Sequence, residues 1–301
     1  MFNNLQTAFK DKSDRDLNRA YFLFKTISNP LISKIITKFI KTAIWLNLPI
    51  NSIIKATVYK HFCGGITIND SNKTINKLWN SKIGTILDFS AEGKQSKADF
   101  ERAMNETIES LQKAKTKDSI PFSVFKPTGL ARFNLLEKIS AKKKLSNKEE
   151  IEKLAFEKRI ENICEISNKN RVPVFIDAEE SWIQQAIDDI AIKMMRKFNR
   201  KQPWIFNTIQ LYRNDRISYL EKLIAHAKRD NFLIGLKLVR GAYHVQEIER
   251  AKNMQYDCPV HTIKKNTDID FNKALKICVE NINTISFCAG THNEESSALL
   301  I

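Results

Sequence analysis

Gly235-Leu236-Lys237-Leu238-Val239-Arg240-Gly241-Ala242-Tyr243 is the stretch on which the reading of this chain turns. Leu236, Leu238 and Val239 supply β-prone bulk, the run stops in basic, glycine and aromatic residues, and the helical stretch Val245–Asn253 follows directly. Gly241 lets backbone come close to a ligand. A strand that delivers polar residues at its C-terminal end and runs straight into a helix is the repeating unit of a β/α protein. In such proteins the C-terminal edge of the sheet is where sites are built.

The same rhythm extends in both directions. Gly84–Phe89, Pro121–Phe125, Val172–Ile176, Trp204–Leu211, Phe232–Val239 and Thr284–Ala289 are short apolar runs separated by helical stretches, which predicts a parallel sheet. Ser146-Asn147-Lys148-Glu149 reads as a capping box opening a helix that carries Ile151, Leu154, Ile160, Ile163 and Cys164. The spacing of the runs fits a (βα)8 barrel with insertions as well as an open doubly wound sheet. Two features favour the barrel. The glycines, at 64, 65, 84, 93, 129, 235, 241 and 290, form no GxGxxG or Walker-type loop. Polar residues also stand at or just after nearly every run: Asp88, Lys126, Asp177, Gln210, Lys237 with Arg240, and Thr291-His292-Asn293.

Size and composition set the frame. The 301 residues, 43% of them hydrophobic, suffice for one large α/β domain. Residues 1–80 read as a helical region, with Ser13 as an N-cap, breaks at Pro30 and Pro49 and a loop at Gly64-Gly65; residues 81–301 carry the barrel rhythm. Residues 17–69 hold no Asp or Glu but contain Arg19, Lys25, Lys34, Lys38, Lys41, Lys55 and Lys60, a large part of what makes the net charge of +15 uneven. Leu31, Ile32, Ile35, Ile36, Phe39, Ile40, Ala43 and Ile44 recur there at helical spacing. Such a helix either packs on a core with its lysines solvated or lies on an anionic membrane surface.

Other classes are excluded in turn. Leu31–Leu48 is interrupted by Lys34, Lys38 and Lys41, so no run spans a bilayer, and residues 1–30 lack the apolar core and cleavage site of a secretory signal. The expected location is the cytoplasm, with peripheral contact at the inner face of the membrane. Cys63, Cys164, Cys258, Cys278 and Cys288 form no CxxC pair, and His61, His226 and His261 have no metal-ligand spacing, so neither a disulfide framework nor a metal site is expected. In residues 70–301 lysines alternate with acidic residues and no nucleic-acid motif occurs, so no specific nucleic-acid partner is expected.

Taken in order, several segments make the chain resemble the proline dehydrogenases, the FAD-dependent family of the (βα)8 TIM-barrel type. They are Phe62-Cys63-Gly64-Gly65, Ile86-Leu87-Asp88-Phe89-Ser90-Ala91-Glu92-Gly93, Lys126-Pro127-Thr128-Gly129-Leu130, Ile176-Asp177-Ala178-Glu179-Glu180, Lys237–Tyr243, Pro259-Val260-His261-Thr262 and Thr291-His292-Asn293. The resemblance implies oxidation of L-proline to 1-pyrroline-5-carboxylate by hydride transfer to flavin N5, with electrons passed on to a membrane quinone, in proline catabolism toward glutamate.

It also implies roles. Lys126 matches an active-site lysine that orients an anionic substrate group, or else is a surface lysine snorkelling from a strand end. Asp177 matches an active-site aspartate that accepts hydrogen bonds from a cationic amine or from Lys126, with a helix N-cap as the competing role. Tyr243 matches a tyrosine closing over the proline pocket, the alternative being a core tyrosine. Gln210 matches a flavin-contacting glutamine, and Lys237 a basic residue near the redox end of the flavin. Val239, Gly241 and Ala242 fall among the cofactor positions, with His244 where relatives often carry tryptophan. Thr262, Lys264, Thr291, His292 and Asn293 match the pyrophosphate and adenosine end. Glu179 and Glu180 fit a first helical turn and are assigned to structure. Arg240 alternates to the outer face of its strand.

The family pattern continues past Thr291-His292-Asn293 through two more strands and a final helix with paired arginines that clamp the proline carboxylate. This sequence shows six strand runs and nothing resembling that helix. The expectation is therefore an incomplete barrel, about six of eight strands, prone to aggregate through its open edges and with little or no proline oxidation from these residues alone. A different chemistry compatible with the same residues is a barrel aldolase in which Lys126 or Lys237 forms a Schiff base. A non-catalytic barrel remnant is the third reading.

Overall fold

A computed structural model describes residues 3–10, 12–46, 48–50, 55–88 and 95–301. The segment Phe89-Ser90-Ala91-Glu92-Gly93 named above lies outside the described residues. Contacts divide the chain into two compact units, Met1–Ile83 and Gly84–Ile301.

The first unit is helical: α1 (Leu5–Ala8), α2 (Asp14–Ile27), α3 (Pro30–Trp45), a π turn at Lys55–Tyr59 running into α4 (Lys60–Phe62), and α5 (Asn72–Asn80). Ser13 caps α2 by accepting from the Asp16 amide, as the sequence predicts. Pro30 separates two helices by opening the second: it is the first residue of α3, and Asn29 accepts from the amides of Leu31 and Ile32. Ala43 is the one buried residue of α3, and α2 has none. Among the described residues no helix is long and apolar enough to cross a membrane.

The second unit alternates strands and helices. Its strands are β1 (Ile86–Asp88), β2 (Phe122–Phe125), β3 (Val174–Ile176), β4 (Ile205–Gln210), β5 (Ile234–Val239) and β6 (Ile285–Ala289). Between and after them come α6 (Lys97–Lys115), α7 (Phe133–Ser140), α8 (Asn147–Asn170), α9 (Ser181–Phe198), α10 (Arg216–Asp230), α11 (His244–Met254), α12 (Lys264–Glu280) and α13 (Glu294–Leu300). All six strands are parallel, in the order β1-β2-β3-β4-β5-β6, so each is the neighbour of the next along the chain. That singly wound order, with no reversal point, is the arrangement of a partial TIM barrel and excludes the doubly wound alternative. The capping box at Ser146 and Glu149 is formed and starts α8.

Register explains how the site is raised on this sheet. Val124, Phe175, Phe206 and Gly235 are aligned across β2 to β5, and the first three form the centre of an apolar cluster on one face, with Phe122 stacked on Phe175 at 4.4 Å. Gly235 completes the row because Phe206 fills its place: a Cβ there would lie 2.4 Å from the Ile205 carbonyl oxygen and 2.7 Å from the Phe206 ring. Two residues further along each strand, period-2 alternation puts Lys126, Asp177, Thr208 and Lys237 on the same face, one layer above. The Lys237 ammonium 5.3 Å from the Phe175 ring centroid shows this stacking directly. A charged layer thus rests on an aromatic floor.

Candidate active site

The charged layer opens into a cleft of about 890 Å³ at the C-terminal ends of the strands, near the upper end for a cofactor pocket. It brings together Lys126, Asp177, Gln210, Lys237, Val239, Gly241, Ala242, Tyr243, Lys264, Thr291, His292 and Asn293, twelve of the residues singled out from sequence. His244 and Thr262 do not line it. The His244 ring nitrogen lies 2.9 Å from the His261 carbonyl oxygen, tying the start of α11 to the following loop, and Thr262 is exposed on that loop.

Asp177 follows β3 and is 2.7 Å from the Lys237 ammonium through Oδ1, which also accepts from Thr208 Oγ1 at 3.3 Å. Register brings Thr208 and Lys237 to Asp177, because they are paired residues on β4 and β5 and stand beside it in the same layer. Lys126 instead approaches Tyr243, with Nζ 3.4 Å from the phenol oxygen and 5.9 Å from the ring centroid. Burial pushes the Tyr243 hydroxyl up to about 12, with the Lys126 charge opposing, so the phenol is a neutral donor at physiological pH. An ammonium held against a carboxylate, as in Lys237, is the opposite of the desolvated neutral amine that Schiff-base chemistry requires.

Gln210 is buried and both ends of its amide are engaged. Nε2 donates to the Glu179 carbonyl at 2.7 Å, and Oε1 accepts from the Ala242 amide at 3.4 Å. Gly241 has φ +131°, and a Cβ there would lie 2.5 Å from the Tyr212 ring. This glycine therefore serves the turn and the packing of Tyr212 more than the approach of a ligand. Arg240 does turn to the helix side of the sheet. Its guanidinium stacks over Phe271 at 4.4 Å and donates to Asp268 (2.6 Å), Thr291 Oγ1 (2.7 Å) and Ser296 Oγ (2.9 Å), while still reaching the cleft rim. Lys264 joins the same Asp268 carboxylate at 2.7 Å. Asn293 caps α13 by accepting from the Ser296 amide.

Sequence reasoning passed over three residues. Thr208 is legible only once register is known. Asp268 is a helix residue with no local motif. Glu179, placed above in a first helical turn, precedes the helix: Glu180 is the N-cap of α9, and Glu179 is buried between the ends of β2 and β3. There it accepts from the Thr128 amide at 2.9 Å and from the Thr128 hydroxyl. Burial pushes its carboxyl up to about 7 against those bonds and the nearby Lys126 charge.

A proline dehydrogenase family model matches residues 71–301. The chain belongs to the proline dehydrogenase family. The matched span covers all six strands and the whole cleft, and leaves Phe62-Cys63-Gly64-Gly65 outside it. Among similar proteins, the carbapenem antibiotics biosynthesis protein CarD of Pectobacterium carotovorum is 31% identical over 240 residues, 80% of this chain and 63% of that protein. The mitochondrial proline dehydrogenase 1 of Dictyostelium discoideum is 27% identical, covering 96% of this chain and 58% of that one. This chain thus spans about three fifths of the length of these relatives. The structure of proline utilization A from Bdellovibrio bacteriovorus inactivated by N-propargylglycine superposes with a TM-score of 0.70 at 18% identity, covering 80% of this chain and 26% of that one. That likeness to a proline dehydrogenase family fold accounts for the singly wound sheet. Among the described residues no group of three His, Cys, Asp or Glu could hold a metal ion.

Proposed function

We propose that this protein is an FAD-dependent oxidoreductase that converts L-proline to 1-pyrroline-5-carboxylate and passes the electrons to a membrane quinone. The observation that carries the reading is the charged layer of Lys126, Asp177 and Lys237 set on the aromatic floor within a cleft of cofactor size. The donor set fits FAD: Lys264, Thr291, His292 and Asn293 gather cationic, hydroxyl and amide groups suited to phosphate oxygens at the β5–β6 end, and Gln210 holds the β5 loop at the other. Bound there, FAD would supply the two-electron acceptor, and the chain's own residues supply binding, orientation and charge.

In this reading Lys126 offers its ammonium to the anionic side of proline. Tyr243, neutral and anchored beside Lys126, covers the pocket and donates its hydroxyl proton as a hydrogen bond. Asp177 holds Lys237 in place, so that positive charge faces the redox end of the cleft and favours the reduced state. Titration with FAD is expected to show saturable, near-stoichiometric quenching of flavin fluorescence. Lys237→Glu, which puts two carboxylates together, should weaken it tenfold or more. Equal quenching by native and variant chains would remove the cleft from the flavin site.

The quinone acceptor gives the basic N-terminal unit a use. On α3, Leu31, Ile35 and Phe39 form an i, i+4, i+8 stripe that is 72%, 68% and 65% exposed, flanked by exposed Lys34, Lys38 and Lys41. In our reading this face rests on an anionic bilayer, each lysine near the surface adding about 1 kcal/mol. Vesicles containing phosphatidylglycerol are expected to retain the protein at low salt, neutral phosphatidylcholine vesicles to release it, and Lys34→Glu with Lys38→Glu to abolish retention. Equal retention by both kinds of vesicle would contradict an electrostatic contact.

A further inference from the structure

Glu179 is 2% exposed and does not itself line the cleft, yet its hydrogen bonds reach both walls. Both carboxylate oxygens are taken by Thr128, which is itself 2% exposed in the 3-10 turn Pro127–Gly129 immediately after Lys126. Its carbonyl accepts from Gln210, whose own carbonyl oxygen accepts from Ala242, the residue before Tyr243. Its amide donates to Gln184 Oε1 at 3.0 Å, and Gln184 donates in turn to Asp188, which is ion-paired with Arg216 at 2.7 Å. The chain of bonds joins the C-terminal ends of β2, β3, β4 and β5 and is anchored in α9 and α10.

We propose that Glu179 is a positioning residue of the proline dehydrogenase site, acting through Thr128 on Lys126 and through Gln210 and Ala242 on Tyr243, so that the two walls of the substrate pocket hold one spacing. The inference deepens the proposed reaction and rests on it. Two arguments carry it beyond ordinary packing. The residues it links by bonds are the two whose side chains meet across the pocket, Lys126 and Tyr243. Thr128 donates to both carboxylate oxygens, whereas a glutamine of the same volume offers a single acceptor oxygen, so the paired connection to Thr128 uses the carboxylate even though burial raises its carboxyl to about 7. The charged or titratable groups facing it are Lys126 from the β2 loop, Tyr243 from the β5 loop and its neighbour Glu180. When ionised, its carboxylate also offsets the nearby Lys126 charge.

The test uses the full chain and the variants Glu179→Gln and Thr128→Val, singly and together. Hydrogen exchange of the segment 126–131 is expected to quicken tenfold or more in each variant and that of 240–246 by a smaller factor, because Glu179 holds Gln210 through its main-chain carbonyl and loses only its side-chain anchor, with α8 unchanged. The double variant should be no faster than the quicker single one, because both substitutions cut one connection. With FAD and proline, each variant should raise KM tenfold or more and change kcat less than threefold. Loosening spread equally over α8 and the sheet would reduce Glu179 to a structural residue, and unchanged exchange at both walls would overturn the proposal outright. If the native chain neither binds flavin nor oxidises proline, the reaction fails while the exchange measurement still decides whether Glu179 sets the walls.

Discussion

Asp177→Ala is expected to slow proline-dependent flavin reduction by roughly a hundredfold or more. The size follows from what is left behind. Lys237 is only 23% exposed, lies over the Phe175 ring and has Asp177 as its ion-pair partner at 2.7 Å, so truncation leaves a largely desolvated cation uncompensated. Losing one member of such a pair costs about 2–5 kcal/mol, and each 1.4 kcal/mol is tenfold. Asp177→Asn keeps the shape and one acceptor for Lys237, and should fall between native and alanine. Stopped-flow absorbance under anaerobic conditions gives the rate. A loss of less than threefold with flavin still bound would show that the pair does not organise the site.

Asp188→Ala is expected to lower the free energy of unfolding by about 3–5 kcal/mol, without any direct contact with the cleft. Asp188 is 1% exposed on α9 and accepts from Arg216 at 2.7 Å, Gln184 at 2.9 Å and Asn207 at 2.9 Å, so three buried donors lose their partner together. Arg216 keeps its bonds to Asp215, which places the effect toward the lower end of the range. Urea unfolding followed by tryptophan fluorescence measures it directly. A change below 1 kcal/mol would mean that water or rearranged side chains replace all three bonds.

The two effects lie on opposite sides of the sheet, and the sequence revealed those sides unequally. The strands were legible because a parallel sheet buried on both faces writes continuous apolar runs, as in β3, where Val174, Phe175 and Ile176 are all buried. The polar residues after them were legible because each breaks such a run at its end. Pairings were not: Asp177 finds Lys237 through β3–β4–β5 register, which no local pattern encodes. Glu179 was misread because two acidic residues before a helix look like favourable first-turn charges, whereas its side chain turns inward to a threonine 51 positions away. His244 and Thr262 stand outside the lining of the cleft, His244 with its ring nitrogen 2.9 Å from the His261 carbonyl oxygen. The segment 89–94 carries part of the family resemblance and lies outside the described residues.

Arg240, at the rim of the cleft, is committed to Asp268, Thr291 and Ser296. The most direct test is anaerobic mixing of the FAD-loaded chain with L-proline over a wide concentration range, reading flavin absorbance in a single turnover. The account predicts bleaching whose rate rises with L-proline to a plateau and is absent with D-proline. Flavin that stays bound and oxidised at every L-proline concentration would contradict it.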